Sequence, residues 1–139
     1  MRKPYEIIDH TADIGLHVYG ADAAELFSNA ASALTDVITD HRGVVAAESL
    51  NLSVTGLDWP DLMVNWLREL LYLWSGKDLL VASVEIEQVS EQKIVAVASV
   101  EPFRSERHRI HNEIKAVTYH QIDVSESLTG WEAKIILDV

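Results

Sequence analysis

Two carboxylates, an imidazole and a hydroxyl fall within five residues in Asp9-His10-Thr11-Ala12-Asp13, between the apolar-leaning runs 5–8 and 14–19. Each of these groups loses hydration on burial unless it finds a partner, so the cluster is poor strand or core material. A tight turn satisfies such side chains with local backbone, the ordinary fate of an aspartate-rich loop. A binding site satisfies them with a ligand. Two stretches near the other end also carry chemistry. In Glu113-Ile114-Lys115-Ala116-Val117-Thr118-Tyr119-His120 an extended backbone puts Glu113, Lys115, Val117 and Tyr119 on one face and Ile114, Ala116, Thr118 and His120 on the other. Neither face is cleanly apolar, which suits a sheet edge or the border of a site. Lys115 reads either as the charge partner of an acidic group or as an edge lysine that discourages aggregation. Last, Ile135-Ile136-Leu137 delivers the Asp138 carboxylate and then the oxygens of Val139. Carboxylates and main-chain carbonyls are the usual donors to hard divalent cations, and Asp13, Asp138 and Val139 together would form a small all-oxygen site. Nothing local brings residue 13 to residue 138.

Bulk properties narrow the function. The chain has 139 residues, 48% of them hydrophobic, which suits a single domain over 1–139 with a substantial core. It has no cysteine, so disulfides, thiolate metal sites and a cysteine nucleophile are excluded, and a cytoplasmic setting is the default. The run 5–8 is too short for a signal-peptide core, and no later run reaches membrane-spanning length. Acidic residues outnumber basic ones by 22 to 11, a formal net charge of −11. Nucleic-acid modules gain affinity from cationic side chains that displace counterions, so this surface is wrong for gripping RNA or DNA directly. It suits divalent cations, basic protein partners, or simply solubility.

The elements that must position these residues follow from periodicity. Residues 5–20 read as two extended pieces around the polar cluster, with Ile14, Leu16 and Val18 facing a core. Gly20 ends the second piece. Asp22 with Glu25 resembles a capping box before a helix carrying Leu26, Phe27, Ala30, Ala31, Leu34, Val37 and Ile38 and ending near Thr39. Leu50, Leu52 and Val54 alternate as a half-buried strand closed by Gly56. Asp58 caps a second helix, with Pro60 in its first turn, that runs to a stop at Gly76. Its apolar arc is broad enough for burial on most sides, and Trp59, Trp66 and Trp74 suit core packing better than an aromatic platform. Residues 80–89 and 93–100 form a hairpin around Ser90-Glu91-Gln92, and 101–112 reads as a mobile polar loop. His108 and His111 in that loop could share a metal, but solvated histidines are the commoner case. Strands at 114–124 and 131–139 complete the order two strands, helix, strand, helix, four strands. The sequence shows no internal repeat. This order predicts an α+β domain, a mixed or antiparallel β-sheet system with two α-helices packed on one face.

Asp9-His10-Thr11-Ala12-Asp13-Ile14-Gly15, Glu25-Leu26-Phe27, the stretch from Glu113 to His120 and the final Leu137-Asp138-Val139 together resemble the archease family from end to end. Residues 40–112 match only in layout. The resemblance implies a β-sheet system with two helices. It also implies a protein cofactor, not an enzyme, that activates the tRNA-splicing RNA ligase. Archeases promote guanylylation of the ligase histidine and multiple turnover. The resemblance assigns a divalent ion (calcium, magnesium or manganese) to Asp13, Asp138 and Val139 and a functional role to Lys115. Asp9, His10 and Thr11 then hold the loop that aims Asp13. It further implies a chaperone role toward RNA-modifying enzymes, including a tRNA methyltransferase, with RNA met only through the partner. A free-standing metal-dependent phosphoesterase using Asp13, Asp138 and His120 is the remaining alternative, and it lacks an obvious nucleophile and base pair.

Overall fold

The computed structural model describes residues 3–9 and 12–139; the roles expected of His10 and Thr11 fall outside them. Strands β1 (Tyr5–Asp9) and β2 (Asp13–Gly20) lead into helix α1 (Ala23–Ile38) and a single 3-10 turn, His41–Gly43. Strand β3 (Glu48–Thr55), helix α2 (Trp59–Lys77), β4 (Leu79–Ser90) and β5 (Lys93–Pro102) follow. The chain finishes with β6 (Ala116–Val117), β7 (Asp123–Ser127) and β8 (Gly130–Asp138). One antiparallel sheet has the order β1-β2-β8-β6, with β7 also paired to β8, and the other has the order β3-β5-β4. Both helices contact both sheets and each other, so the helical layer covers one face of each. The α+β expectation with two helices on one face stands. Among the described residues no helix is long and apolar enough to cross a membrane.

The alternation seen in the sequence explains the core. Ile14, Leu16 and Val18 of β2 face inward opposite Leu137, Ile135 and Ala133 of β8, all buried. Ile94, Ala96, Ala98 and Val100 do the same for β5. Trp66 is fully buried and its Nε1–H donates to the Phe27 carbonyl at 3.0 Å, tying α2 to α1. Trp59 and Trp74 are partly buried against the same core, so the tryptophans serve packing.

An internal repeat, unexpected from the sequence, organises the chain. Gly20-Ala21-Asp22-Ala23-Ala24-Glu25-Leu26 and Gly56-Leu57-Asp58-Trp59-Pro60-Asp61-Leu62 make the same strand-to-helix turn. Asp22 Oδ1 accepts from the Glu25 N–H at 2.8 Å and Asp58 Oδ1 from the Asp61 N–H at 2.9 Å. Glu25 and Asp61 reach back to the N–H groups of Ala21 and Leu57, at 2.9 and 2.8 Å. Nine residues after each glycine, Asn29 and Asn65 donate to the carbonyls of Tyr19 and Thr55, at 2.7 and 2.9 Å. Each unit is strand, helix and two strands, with the last strand in the middle: β5 lies between β3 and β4, and β8 between β2 and the β6/β7 edge. The second unit is inserted into the first between α1 and β6. Nesting, not tandem order, hides the repeat, and outside the turn only scattered positions match, among them Leu16 and Leu52, Val18 and Val54, and Asn29 and Asn65.

Three further expectations change. The strand at 114–124 is broken, because between Val117 opposite Leu137 and Asp123 opposite Lys134 the edge uses residues 118–122 where β8 uses only Ile135 and Ile136. Gln121 takes up the excess at a φ of 54°, and the Ile122 N–H closes a turn on the Tyr119 carbonyl at 3.2 Å. The second helix runs past Gly76 to Lys77, and the left-handed position falls to Asp78, φ 56°. The polar segment 101–112 is pinned rather than loose. Thr39 Oγ1 donates to the Arg109 carbonyl at 2.7 Å, the His111 N–H to Ile38 at 2.7 Å, and Asn112 Nδ2 to Val37 at 2.8 Å.

The repeated glycines are required by close approach. A Cβ on Gly20 would lie 2.4 Å from the Leu26 nitrogen, and one on Gly56 2.6 Å from the Leu62 nitrogen, whereas Gly43 faces open space. Gly20→Ala and Gly56→Ala should each destabilise the fold by about 1–3 kcal/mol in urea unfolding. Gly43→Ala should stay within about 0.5 kcal/mol of wild type.

Candidate functional site

The residues singled out at the two ends of the chain meet through one strand pair. In the β2–β8 ladder Asp13 lies directly opposite Asp138, at the end of a register that runs to Gly20 opposite Trp131. Direct cross-strand partners share a face, and because Ile14 and Leu137 point inward, Asp13 and Asp138 point outward. Asp138 is exposed and Asp13 half-buried. Two like charges placed opposite one another are destabilising unless a cation or donor lies between them. On its other side Asp138 pairs with Ala116, and its main-chain carbonyl accepts the Lys115 N–H at 2.7 Å. Asp13, Lys115, Asp138 and Val139 therefore occupy one corner of the first sheet. Among the described residues no three His, Asp or Glu side chains converge as a ready-made metal cluster.

Lys115 is exposed, between two residues the fold holds firmly. Ile114 and Val117 are both buried, three positions apart, so the strict face alternation expected for this stretch does not hold. What fixes it is helix α2. Arg68 donates from Nε and from one terminal nitrogen to the Val117 carbonyl, at 3.2 and 3.1 Å, and its guanidinium lies 4.8 Å from the centre of the Tyr119 ring. The Tyr119 hydroxyl donates to Asp61 Oδ1 at 2.6 Å. That bond lowers the Asp61 carboxyl and raises the Tyr119 phenol from their ordinary ranges, with the Leu57 N–H adding to the first effect and burial to the second. The sequence offered no sign of Arg68 or Asp61 here, since both read as ordinary helix residues.

The histidines divide by role. His108 is buried: its Nδ1 accepts the Arg104 N–H at 3.0 Å, so its Nε2–H donates to Glu101 Oε1 at 2.8 Å. Glu101, itself buried, also accepts from the Val45 N–H at 2.8 Å and from Arg107 Nε at 3.0 Å. His108 is thus neither solvated nor free to share a metal with His111. Burial pushes the Glu101 carboxyl up, but the bonds from Val45, Arg107 and His108 outweigh it and hold the group down at about 2. His120 is exposed beside Tyr119. His17, on the outward face of β2, meets Glu132 at 3.2 Å through Nε2 and the Tyr19 hydroxyl at 3.1 Å through Nδ1.

A nested pair of strand-helix-strand-strand units, with an outward pair of aspartates where the two ends of the chain meet, defines a small two-sheet α+β protein. The chain matches the model of the Archease protein family (MTH1598/TM1083) over residues 5–139 and belongs to that family. It is 38% identical to protein archease of Methanosarcina acetivorans, covering 99% of this chain and 97% of that one. It is 35% identical to protein archease of Pyrococcus furiosus, covering 99% of each. The solution structure of Methanobacterium thermoautotrophicum protein 1598 superposes with a TM-score of 0.80 at 32% identity, covering 98% of this chain and 99% of that one. The crystal structure of a Thermotoga maritima archease, described as a possible chaperone, shares the fold at a TM-score of 0.64 and 23% identity, covering 100% of this chain and 98% of that one.

The Glu101 cluster carries a pH signature. A carboxyl held at about 2 in the folded chain, against an ordinary 4.5, stabilises the fold above about pH 4.5, and that stability is lost as pH falls toward 2. Glu101→Gln should be less stable than wild type at neutral pH, and the gap should narrow steadily between pH 4.5 and 2 when urea midpoints are compared across that range.

Proposed function

We propose that this chain is a protein cofactor of the tRNA-splicing RNA ligase, promoting guanylylation of the ligase histidine and multiple turnover rather than catalysing a reaction of its own. The observation that carries this reading is the register that sets Asp13 against Asp138 while the Asp138 carbonyl holds the Lys115 backbone. These are the residues to which the family resemblance assigns function. The donor chemistry fits a hard divalent ion: Asp13 and Asp138 supply outward carboxylates and Val139 a main-chain oxygen, with water or the partner completing the shell. Bound there, calcium, magnesium or manganese would neutralise phosphate charge. The chain's own residues do the rest. Asp13 and Asp138 would hold the cation on the side facing the partner's nucleotide pocket, and Lys115 offsets phosphate charge without needing a metal. The net charge of −11 suits a protein that leaves the RNA to its partner and works in the cytoplasm beside it.

A second reading follows from the description of the Thermotoga maritima relative as a possible chaperone: a folding partner for RNA-modifying enzymes such as a tRNA methyltransferase, acting through surface rather than site. The two separate on one set of variants. Asp13→Asn, Asp138→Asn and Lys115→Ala should each fold normally yet lower stimulation of ligase guanylylation by about ten-fold or more, followed by transfer of labelled guanylate from GTP. Full stimulation by folded Asp13→Asn and Asp138→Asn would overturn the role of the aspartate corner, and no stimulation by the wild-type chain would remove the cofactor reading. Substoichiometric amounts of wild type sustaining many ligase turnovers would count against the chaperone.

A further inference from the structure

The outward face of the first sheet is ordered in cross-strand rows. Nearest the end of the ladder lies the acidic row, Asp13 and Asp138. Next comes an apolar row, Ile8 of β1, Gly15 of β2 and Ile136 of β8. Beyond it lies a charged row, Glu6, His17, Lys134 and Asp123. Gly15 has no side chain, so Ile8 and Ile136 stand as walls on either side of a trench of about 270 Å³ that His17, Lys134 and Gln121 close off. Ile8 is 45% exposed on an open face. The glycine is not demanded by the backbone: it has no positive φ, and a Cβ there would make ordinary contacts of 3.7 Å with Ile8 and 3.8 Å with Ile136. The missing side chain leaves space, in contrast to Gly20 and Gly56, where it permits backbone contact.

We infer that this trench is the docking slot for one apolar side chain of the basic partner protein, seated beside the Asp13–Asp138 pair. The inference rests on the proposed function and adds to it the surface by which the partner is held. The trench lies just below the roughly 300–1,000 Å³ typical of small-molecule pockets and is open along one side, which suits an anchoring side chain better than a free ligand. Its surroundings choose the partner. His17 and Lys134 line the trench itself, but the rows on either side of it carry four carboxylates, Asp13 and Asp138 on one side and Glu6 and Asp123 on the other, so the surface around the apolar centre is net acidic and its complement is basic. A second copy of this chain is excluded as the favoured occupant, since it would bring the same carboxylates and another net −11.

The test is calorimetric titration of the purified tRNA-splicing ligase with the full-length chain and its variants. Gly15→Leu fills the trench, and Ile8→Lys places a cation on an already exposed wall where it opposes a basic partner without disturbing the core. Each should weaken ligase binding by about ten-fold or more, with a wild-type melting temperature for Ile8→Lys. Gly15→Ala should fall between, and Gly43→Ala should bind as wild type. Wild-type affinity for both Gly15→Leu and Ile8→Lys, with stimulation still lost in Asp13→Asn, would overturn the docking slot and leave the cofactor reading standing. Absence of both binding and stimulation by the wild-type chain would overturn both. A wild-type dimer in sedimentation equilibrium that Ile8→Lys dissociates would assign the trench to a second copy and overturn the proposal.

Discussion

The antiparallel lock of β2 on β8 is the interaction on which the rest of the structure depends. It joins residues 13–20 to residues 131–138, almost the full length of the chain apart, and buries Ile14, Leu16 and Val18 against Leu137, Ile135 and Ala133. Slipping the pair by one residue would turn every one of these side chains outward and every charged neighbour inward, so the core itself fixes the register. The same lock decides that Asp13 faces Asp138. A packing requirement of the interior therefore sets the geometry of the exposed corner.

Around that lock the inserted second unit supports the first. Helix α2 belongs to the unit of β3, β4 and β5, yet its Arg68 and Asp61 hold the edge that carries Lys115 in the other sheet. That edge has only two paired residues in β6 before the excursion at 118–122, too little ladder to be well ordered alone. The guanidinium on the Val117 carbonyl and the Tyr119 hydroxyl on Asp61 supply what the missing ladder bonds do not. The segment 101–112 is secured by a different device, the buried Glu101 carboxylate shared among Arg107, His108 and the Val45 N–H. An isolated buried carboxylate would be costly, but one with this many donors is held ionised and ties its donors together.

Charge and shape then divide the surface into functions. The inner faces of both sheets are covered by the helices, while the outer face of the first sheet carries acidic, apolar and mixed-charge rows across its strands. An exposed isoleucine beside a half-buried one would by itself be unremarkable on a monomer. Set on either side of a glycine, between an aspartate pair and a row that mixes Glu6 and Asp123 with His17 and Lys134, the two become walls with a definable complement.

Much of this molecule was legible in the sequence because it rests on local periodicity and local caps. Alternating Ile14, Leu16 and Val18, the helical spacing after Asp22 and Asp58 and the Asp-to-acid capping pattern are short-range signals, and they fixed both helices, most strands and the α+β class. The motifs at either end of the chain likewise marked Asp13, Lys115, Asp138 and Val139 as residues to watch. What tertiary structure alone decided was every relation between distant segments: Asp13 against Asp138, Arg68 on the Val117 carbonyl, His108 buried on Glu101, and one strand-helix-strand-strand unit nested inside another. The physical reason is that a strand's pattern states which face is buried but not which strand it pairs with. That choice belongs to the whole core, which is complete only when the last strand closes on the second.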